Sequence, residues 1–193
     1  HVAEAEVEAA MRALLDGDPV GRLLDIGPGT GRVVELFGAE ALCVTAIDRS
    51  PDMLRLARAK LPDDAGDRYA LVIGDFMDLP IETGAADTVV LHQVLHYAQA
   101  PEQVIAEAAR ACAPDGRVLI VDFAPHQREE LRLRDQHARL GFSDEQIEGW
   151  FGAAGLALAR VETLPGQELT VKLWLGRRRA DARVVPIEGR KAS

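Results

Sequence analysis

Cysteine, positive charge and long apolar runs are all scarce in this sequence. Cys43 and Cys112 are the only cysteines in 193 residues, which argues against a disulfide framework and against a cysteine-rich metal cluster. We expect both to be thiols packed in the hydrophobic core. No apolar run approaches the roughly 20 residues that a membrane-spanning helix requires, so we expect no contact with a membrane.

The excess of acidic over basic residues argues against nucleic acid as a partner. Lysine and arginine number 22 against 31 acidic residues, which gives a net charge of -9. We therefore expect no nucleic acid to bind this chain directly. The amino-terminal residues are charged and rich in alanine, unlike a signal peptide, which favours a cytoplasmic location. Because the first residue is His1 rather than methionine, we expect a longer protein with a further segment upstream.

The main motif is a glycine-rich turn between a predicted strand and a predicted helix. Residues 23–32 read LLDIGPGTGR, with an acid near the end of the apolar strand and glycines at positions 27, 29 and 31. Glycine adopts positive φ without strain and lets a ligand approach the backbone closely. The dinucleotide fingerprint G-x-G-x-x-G would need glycine at position 32, where this chain has arginine. The turn therefore argues against NAD and favours another adenosine-like ligand.

Strands and helices alternate through the first two thirds of the chain. Apolar runs predict strands at residues 23–26, 42–47, 69–73, 87–91 and 117–123, and helical spacing predicts helices at residues 3–15, 32–37, 51–61 and 101–112. Such alternation with short connections predicts a doubly wound α/β fold whose strands are parallel. Ligands bind such sheets at the carboxyl ends of the strands.

The last third has a different pattern. Charged residues predict a helix at 127–140, and a capping box at Ser143 and Gln146 begins another helix that Gly155 ends. Strands at residues 156–164 and 169–175 are separated by a Pro-Gly-Gln turn, which predicts an antiparallel hairpin. We interpret residues 1–179 as one domain and residues 180–193, with the basic residues from position 177 onward, as a solvated tail.

Three acids stand at the ends of successive predicted strands, so they converge on one rim of the sheet: Asp25, Asp48 and Asp75. Together with the glycines, they resemble the class I S-adenosylmethionine-dependent methyltransferases, whose first motif has the form D-x-G-x-G-x-G. This resemblance implies a Rossmann-like fold with a seven-stranded, mostly parallel sheet and a C-terminal antiparallel hairpin. It also implies S-adenosylmethionine as cofactor, or S-adenosylhomocysteine as product or effector.

The resemblance assigns a part of the cofactor to each of these residues. Asp25 and the glycine turn take the methionine end, Asp48 takes the ribose hydroxyls, and Asp75 takes the adenine amino group. A carboxylate accepts two hydroxyl hydrogen bonds well, which makes Asp48 suitable for a ribose. The whole implied cofactor-binding set is Asp25, Gly27, Gly29, Gly31, Asp48, Arg49, Met53, Asp75, Phe76, Met77 and His92.

The polar residues after the fourth strand lie where this family places its methyl acceptor. His92 and His96 are the candidate catalytic residues, with Gln93 and Tyr97 beside them. The alternative for the histidines is hydrogen bonding to loop backbone. A spacing of four residues would suit a metal on a helix, but no third ligand is near in sequence, so we expect no metal site. Further candidates to close the same pocket are Asp122, His126 and His137. For His137 we favour an exposed position on the predicted helix.

Three segments resemble a narrower group, the methyltransferase-like domain of fused ArsR-type transcriptional regulators. They are LHQVLHY at 91–97, VDFAPH at 121–126 and HARLGFS at 137–143. This resemblance covers residues 1–179 and implies a winged-helix domain upstream, through which DNA would be a partner. No Pro-Pro-Tyr follows the fourth strand, so amino methylation of nucleic-acid bases is not expected. Arsenite methylation is not expected either, because it relies on pocket cysteines.

The sequence leaves two hypotheses about function. The first is a methyltransferase that uses S-adenosylmethionine on a small-molecule acceptor. The alternative is an effector domain of an ArsR-type regulator that senses S-adenosylmethionine or S-adenosylhomocysteine as its small-molecule effector. The sequence indicates neither the acceptor nor an oligomeric state.

Overall fold

The computed structural model describes residues 2–63 and 65–180, and within them it contains seven strands and six α-helices. The helices are α1 (Glu4–Leu15), α2 (Arg32–Phe37), α3 (Pro51–Arg58), α4 (Pro101–Ala111), α5 (Glu130–Arg134) and α6 (Asp144–Ala153). The strands are β1 (Arg22–Ile26), β2 (Cys43–Asp48), β3 (Tyr69–Ile73), β4 (Ala86–His92), β5 (Cys112–Phe123), β6 (Leu156–Leu164) and β7 (Val171–Arg178).

All seven strands form one sheet in the order β3-β2-β1-β4-β5-β7-β6. The first five are parallel, and β7 is antiparallel to both β5 and β6. The predicted fold class is therefore confirmed. Since β1 and β4 are neighbours in the middle of the sheet, the strand order reverses beside the glycine turn, where ligands bind in doubly wound folds.

Helices cover both faces of the sheet because successive strand residues point to opposite sides. On one face, Val118 and Ile120 of β5 pack in a cluster with α4 and α6. On the other face, Leu119 and Val121 pack with α1 and α2. Helix α1 buries Val7, Met11, Leu14 and Leu15, the four residues whose spacing predicts this helix.

The predicted helix at residues 127–140 is wrong in its length. Helix α5 covers only Glu130–Arg134, and Gln136 then takes a positive φ of 58°. The backbone N–H groups of Ala138 and Arg139 donate to the carbonyl oxygen of His96 at 2.9 and 3.0 Å. The segment leaves the helical path because these amides are bonded to the loop after β4, and sequence periodicity does not register such a distant partner.

The predicted solvated tail begins too early. Strand β7 continues to Arg178, whose buried guanidinium donates to the carbonyl oxygens of Ala109 at 3.1 Å and of Cys112. Arg177 pairs with Asp18 at 2.6 Å. These contacts hold the two arginines at the end of the sheet. The rest of the predicted tail, residues 181–193, lies outside the described residues.

Both cysteines are free thiols, but only Cys112 is a core residue as predicted. Burial raises the pKa of the Cys112 thiol to about 12, so this thiol is not a nucleophile near neutral pH. Cys43 is only half-buried. Within residues 2–63 and 65–180, no helix combines the length and the apolar character needed to cross a bilayer.

Candidate functional site

The glycine turn joins the end of β1 to the start of α2. Its three glycines differ in what a side chain at each position would contact. All have positive φ: 68° at Gly27, 52° at Gly29 and 86° at Gly31. A Cβ on Gly27 would overlap Val94, and one on Gly31 would lie 3.0 Å from the Cα of Ala57. A Cβ on Gly29 would meet nothing within 4 Å. Gly29 therefore presents backbone to open space, where a ligand has room to approach.

Asp25 lies in β1 beneath this turn and is fully buried. Neither of its carboxyl oxygens has a hydrogen-bond partner among the described residues. Burial, and secondarily the nearby charge of Asp48, raises the pKa of Asp25 to about 8. Buried polar atoms without partners are rare in folded proteins and call for an explanation. A cationic group of a ligand above the turn would supply the missing partner.

Asp48 ends β2 and is fixed by the turn that begins α3. Its Oδ1 accepts a hydrogen bond from the backbone N–H of Ser50 at 2.8 Å, and Ser50 Oγ accepts one from Met53 at 3.3 Å. No described residue donates to Asp48 Oδ2, so this half-buried carboxylate keeps an oxygen for a ligand hydroxyl. Arg49 and Met53 are exposed on the same rim.

Asp75 follows β3, next to β2 in the sheet. Asp48 pairs with Ile73, which places Asp75 two residues beyond that level. Asp75 is exposed, and its Oδ1 accepts a hydrogen bond from Met77 at 2.8 Å. Phe76 and Met77 are partly buried and pack against the core. The three predicted acids thus lie at the carboxyl ends of three adjacent strands.

His92 ends β4 on the other side of the glycine turn. Because Ile26 pairs with Leu91, His92 is level with Gly27. Burial lowers the pKa of His92, so its imidazole is neutral near pH 7. Gln93 has a positive φ of 52°, a strained conformation for a residue with a side chain and one that is common at functional sites. Neither the His92 ring nor the Gln93 amide side chain has a hydrogen bond to a described residue.

A cavity of about 330 Å³ opens beside His92 and Gln93. It lies between α1, α2, the ends of β4 and β5 and the start of β7. Its polar wall contains Arg32, Glu4 and Glu8. Its apolar wall includes Val7, Met11, Leu36, Phe123, Leu169 and Val171.

Arg32 connects helix α1, which covers this cavity, to the glycine turn. Its guanidinium pairs with Glu8 of α1, with Glu35 at 2.8 Å and with Glu4 at 3.6 Å. Arg32 directly follows Gly31, so the position of α1 depends on the conformation of the turn. Sequence reasoning missed Glu8 and Met11 as site residues. The available signal was the pair of acids at Glu4 and Glu8, one turn apart on the predicted helix.

This geometry agrees with what the chain is similar to. Residues 24–120 match the methyltransferase domain family. The chain belongs to the class I S-adenosylmethionine-dependent methyltransferases. A phosphatidylethanolamine N-methyltransferase from Cereibacter sphaeroides is 35% identical over 153 residues, which are 77% of this chain and 71% of that protein.

Two further comparisons set the extent of the likeness. An uncharacterised methyltransferase from Mycobacterium tuberculosis is 33% identical over 100 residues, 52% of this chain and 39% of that protein, so the chain spans about two fifths of the length of this relative. The structure of magnesium protoporphyrin IX methyltransferase from Synechocystis, with S-adenosylhomocysteine bound, has a TM-score of 0.71 and 21% identity, covering 90% of this chain and 82% of that one. That likeness shows the methyltransferase fold.

His96 does not line the cavity of this methyltransferase domain. It lies in a 3₁₀ turn, Leu95–Tyr97, rather than on a helix with His92. Only 2% of it is exposed, and its Nδ1 lies 2.8 Å from Oδ1 of Asp122. Its Nε2 is buried without a partner among the described residues. The two candidate catalytic histidines are therefore not brought together, and only His92 reaches the cavity.

The expectation that His137 is exposed is wrong. His137 is buried, with its ring centroid 4.1 Å from that of His96 and 6.0 Å from that of Phe123. His126 packs edge-on against Phe123 at 6.1 Å. The histidines thus support the Phe123 wall of the cavity from behind, and burial lowers the pKa of both His126 and His137. Across the described ranges, no three His, Cys, Asp or Glu side chains form a group that could hold a metal ion.

Proposed function

We propose that this chain binds S-adenosylmethionine above the glycine turn and transfers its methyl group to a small-molecule acceptor. The observation that carries the proposal is Asp25, a fully buried carboxyl group with two unpartnered oxygens beneath the open face of Gly29. The amino acid end of S-adenosylmethionine carries an ammonium group that would satisfy this carboxylate. Burial of a charge without such a partner is costly.

The remaining acids suit the other parts of the cofactor. Asp48 has a free carboxylate oxygen for the ribose hydroxyls, and Arg49 and Met53 lie on the same rim. Asp75 is exposed next to Phe76 and Met77, whose side chains would flank the adenine. When bound, S-adenosylmethionine supplies an electrophilic methyl group on a sulfonium. The chain's own part is to hold the acceptor in line with that group and to exclude water.

Methylation of a protonated acceptor requires a group that accepts the acceptor's proton. His92 is level with the glycine turn, and burial keeps its imidazole neutral. A neutral imidazole accepts a proton, which is the task of a general base. His92 is the proposed base, whereas buried His96 is proposed only to position the loop that carries His92 and Gln93.

Calorimetric titration of this chain with S-adenosylmethionine and S-adenosylhomocysteine tests the cofactor half of the proposal, and incubation with methyl-labelled cofactor and cell extract tests the transfer. We expect both ligands to bind and a labelled small molecule to form. No binding of either ligand would reject the proposal, and binding without any labelled product would reject the transfer.

The likeness to ArsR-type regulators stays a prediction, and operator binding that responds to either ligand would support it.

A further inference from the structure

The cavity under α1 differs from the cofactor rim in its chemistry. The rim offers carboxylates, whereas most of the cavity wall is aliphatic or aromatic: Val7, Met11, Leu36, Phe123, Leu169 and Val171. At about 330 Å³ the cavity is at the small end of ligand sites. It therefore suits a compact molecule with a large apolar part.

The charged groups of the cavity are largely engaged with one another. Glu8 and Arg32 form an ion pair whose side chains are only 19% and 31% exposed, and Arg32 also pairs with Glu35. Glu4 is 76% exposed and lies at the mouth rather than inside. One nitrogen of Arg32, Nε, is buried without a hydrogen-bond partner among the described residues, but its guanidinium already pairs with Glu4 and Glu8. An anionic ligand group would reach this nitrogen only beside those two carboxylates, and a cationic group would have to compete with Arg32 for Glu8, so either charge is unfavourable there.

The polar side chains of the cavity that lie outside this ion-pair cluster are uncharged. The imidazole of His92 and the amide of Gln93 both border the cavity, and neither has a hydrogen bond to a described residue. A neutral imidazole both donates and accepts, and an amide does the same. These two groups match a single neutral hydroxyl group on the ligand, which also donates one hydrogen bond and accepts others.

We infer that the cavity binds an uncharged, largely apolar molecule whose hydroxyl group faces His92 and Gln93. This inference rests on the proposed function, because it identifies the class of the methyl acceptor. In the transfer, the hydroxyl oxygen forms the new bond to the methyl carbon, and the carbon–sulfur bond breaks with its electron pair left on sulfur. The hydroxyl proton passes to the imidazole of His92 and from there to water.

Three probes with the same naphthalene ring test whether the cavity prefers a neutral, an anionic or a cationic ligand: 2-naphthol, 2-naphthoate and 2-naphthylmethylammonium. Each is titrated at pH 7 into the chain saturated with S-adenosylhomocysteine. We expect 2-naphthol to bind at least about tenfold more tightly than either ion, since each ion would be buried beside counter-charges that are already paired with one another. Tighter binding of the ammonium or the carboxylate would overturn the inference, because it would mean that the acidic or the basic groups at the mouth select the ligand.

A substitution inside the cavity and a matched one outside it show where the probe binds. Leu36→Trp fills part of the cavity and should weaken 2-naphthol binding at least about tenfold, whereas Leu133→Trp, on a leucine that is 91% exposed and outside the cavity, should leave it unchanged. Both variants should keep their affinity for S-adenosylhomocysteine. Equal affinity for 2-naphthol in the two variants would overturn the assignment to this cavity. The comparison of the three probes needs no variant, so it decides the inference even if Leu36→Trp does not fold.

The outcomes also separate the inference from the proposed function. If S-adenosylhomocysteine binds and none of the three probes does, the inference fails and the proposed function stands. If S-adenosylhomocysteine does not bind, both fail together. His92→Asn should lower the rate of 2-naphthol methylation far more than it lowers the affinity for 2-naphthol, because asparagine can still bond the hydroxyl group but cannot accept its proton. An equal loss of rate and of affinity would remove His92 from the role of base.

Discussion

Nδ1 of His96 lies 2.8 Å from Oδ1 of Asp122, and this contact joins the loop after β4 to the end of β5. The same carboxylate accepts hydrogen bonds from the backbone N–H of His96 at 3.2 Å and from that of Phe123 at 2.8 Å. Asp122 is fully buried, and Phe123 lines the cavity. One carboxylate therefore fixes both the strand end and the loop that form the back of the candidate acceptor site.

Asp122→Ala should destabilise the fold strongly. The substitution leaves three donors without their acceptor, two of them on buried His96, and breaking a buried, hydrogen-bonded pair costs about 3–5 kcal/mol. Urea unfolding followed by circular dichroism measures the change in the free energy of unfolding. The control is Asp52→Ala, whose ion pair with Arg55 is about three-quarters exposed on both sides and should contribute little. Equal transitions for the two variants would contradict a supporting role for Asp122.

The packing of His96 against His137 is a feature that could not be predicted from the sequence. The strands, the glycine turn and the capping box are local patterns, so periodicity and cap residues predicted them. The packing of His137 on His96 depends on two amides, those of Ala138 and Arg139, that bond to the distant carbonyl of His96. Gly141 contributes as well, because a Cβ there would overlap the carbonyl oxygen of Ala124. Contacts between segments so far apart in sequence leave no periodic signal.

The parts of the site that belong to local sequence motifs could be predicted, and the parts formed by distant segments could not. Asp25, Asp48 and Asp75 lie at or just beyond the carboxyl ends of their strands, and parallel strands of one sheet end at a common edge. The cavity was not predictable, since it forms between α1, at the start of the chain, and β7, near its end. The roles of the individual glycines were also beyond the sequence, because Gly27 and Gly31 differ from Gly29 only in what a side chain would meet.

Gly29→Ala should lower the affinity for S-adenosylmethionine with only a modest loss of stability. The left-handed conformation costs an alanine about 1–2 kcal/mol, and its methyl group would project into the space left for the ligand. Gly66→Ala is a closely matched control, because Gly66 has the same φ of 52° and a Cβ there would also meet nothing within 4 Å. Calorimetry and thermal unfolding are measured on both. If both variants bind the cofactor equally well, the ligand does not approach Gly29.

Asp48→Asn should weaken the binding of S-adenosylmethionine at least about tenfold, equivalent to roughly 1.4 kcal/mol. The amide keeps an oxygen that can accept from Ser50, but it loses the charge that strengthens hydrogen bonds from ribose hydroxyls. Asp52→Asn, four residues along on exposed α3, is the control and should bind normally. Unchanged affinity in a folded Asp48→Asn variant would remove the ribose assignment.

Asp25 predicts an unusual dependence of stability on pH. Its pKa is about 8 in the folded protein, against an ordinary value of 3.8 for an aspartate. Between these values the folded state holds a proton that the unfolded state has lost, so this group stabilises the fold at low pH and the stabilisation is lost as the pH rises. The slope is at most about 1.4 kcal/mol per pH unit for one proton.

Asp25→Asn keeps the shape of the side chain but cannot ionise, so the difference in unfolding free energy between the wild type and this variant isolates the group. We expect the wild type to lose stability relative to Asp25→Asn as the pH rises from 5 to 8. An ammonium group bound beside Asp25 would favour its ionised form, so saturating S-adenosylmethionine should flatten this difference and its affinity should rise over the same range. A flat difference curve without ligand would mean that Asp25 is already ionised, and hence that it has a partner other than the cofactor.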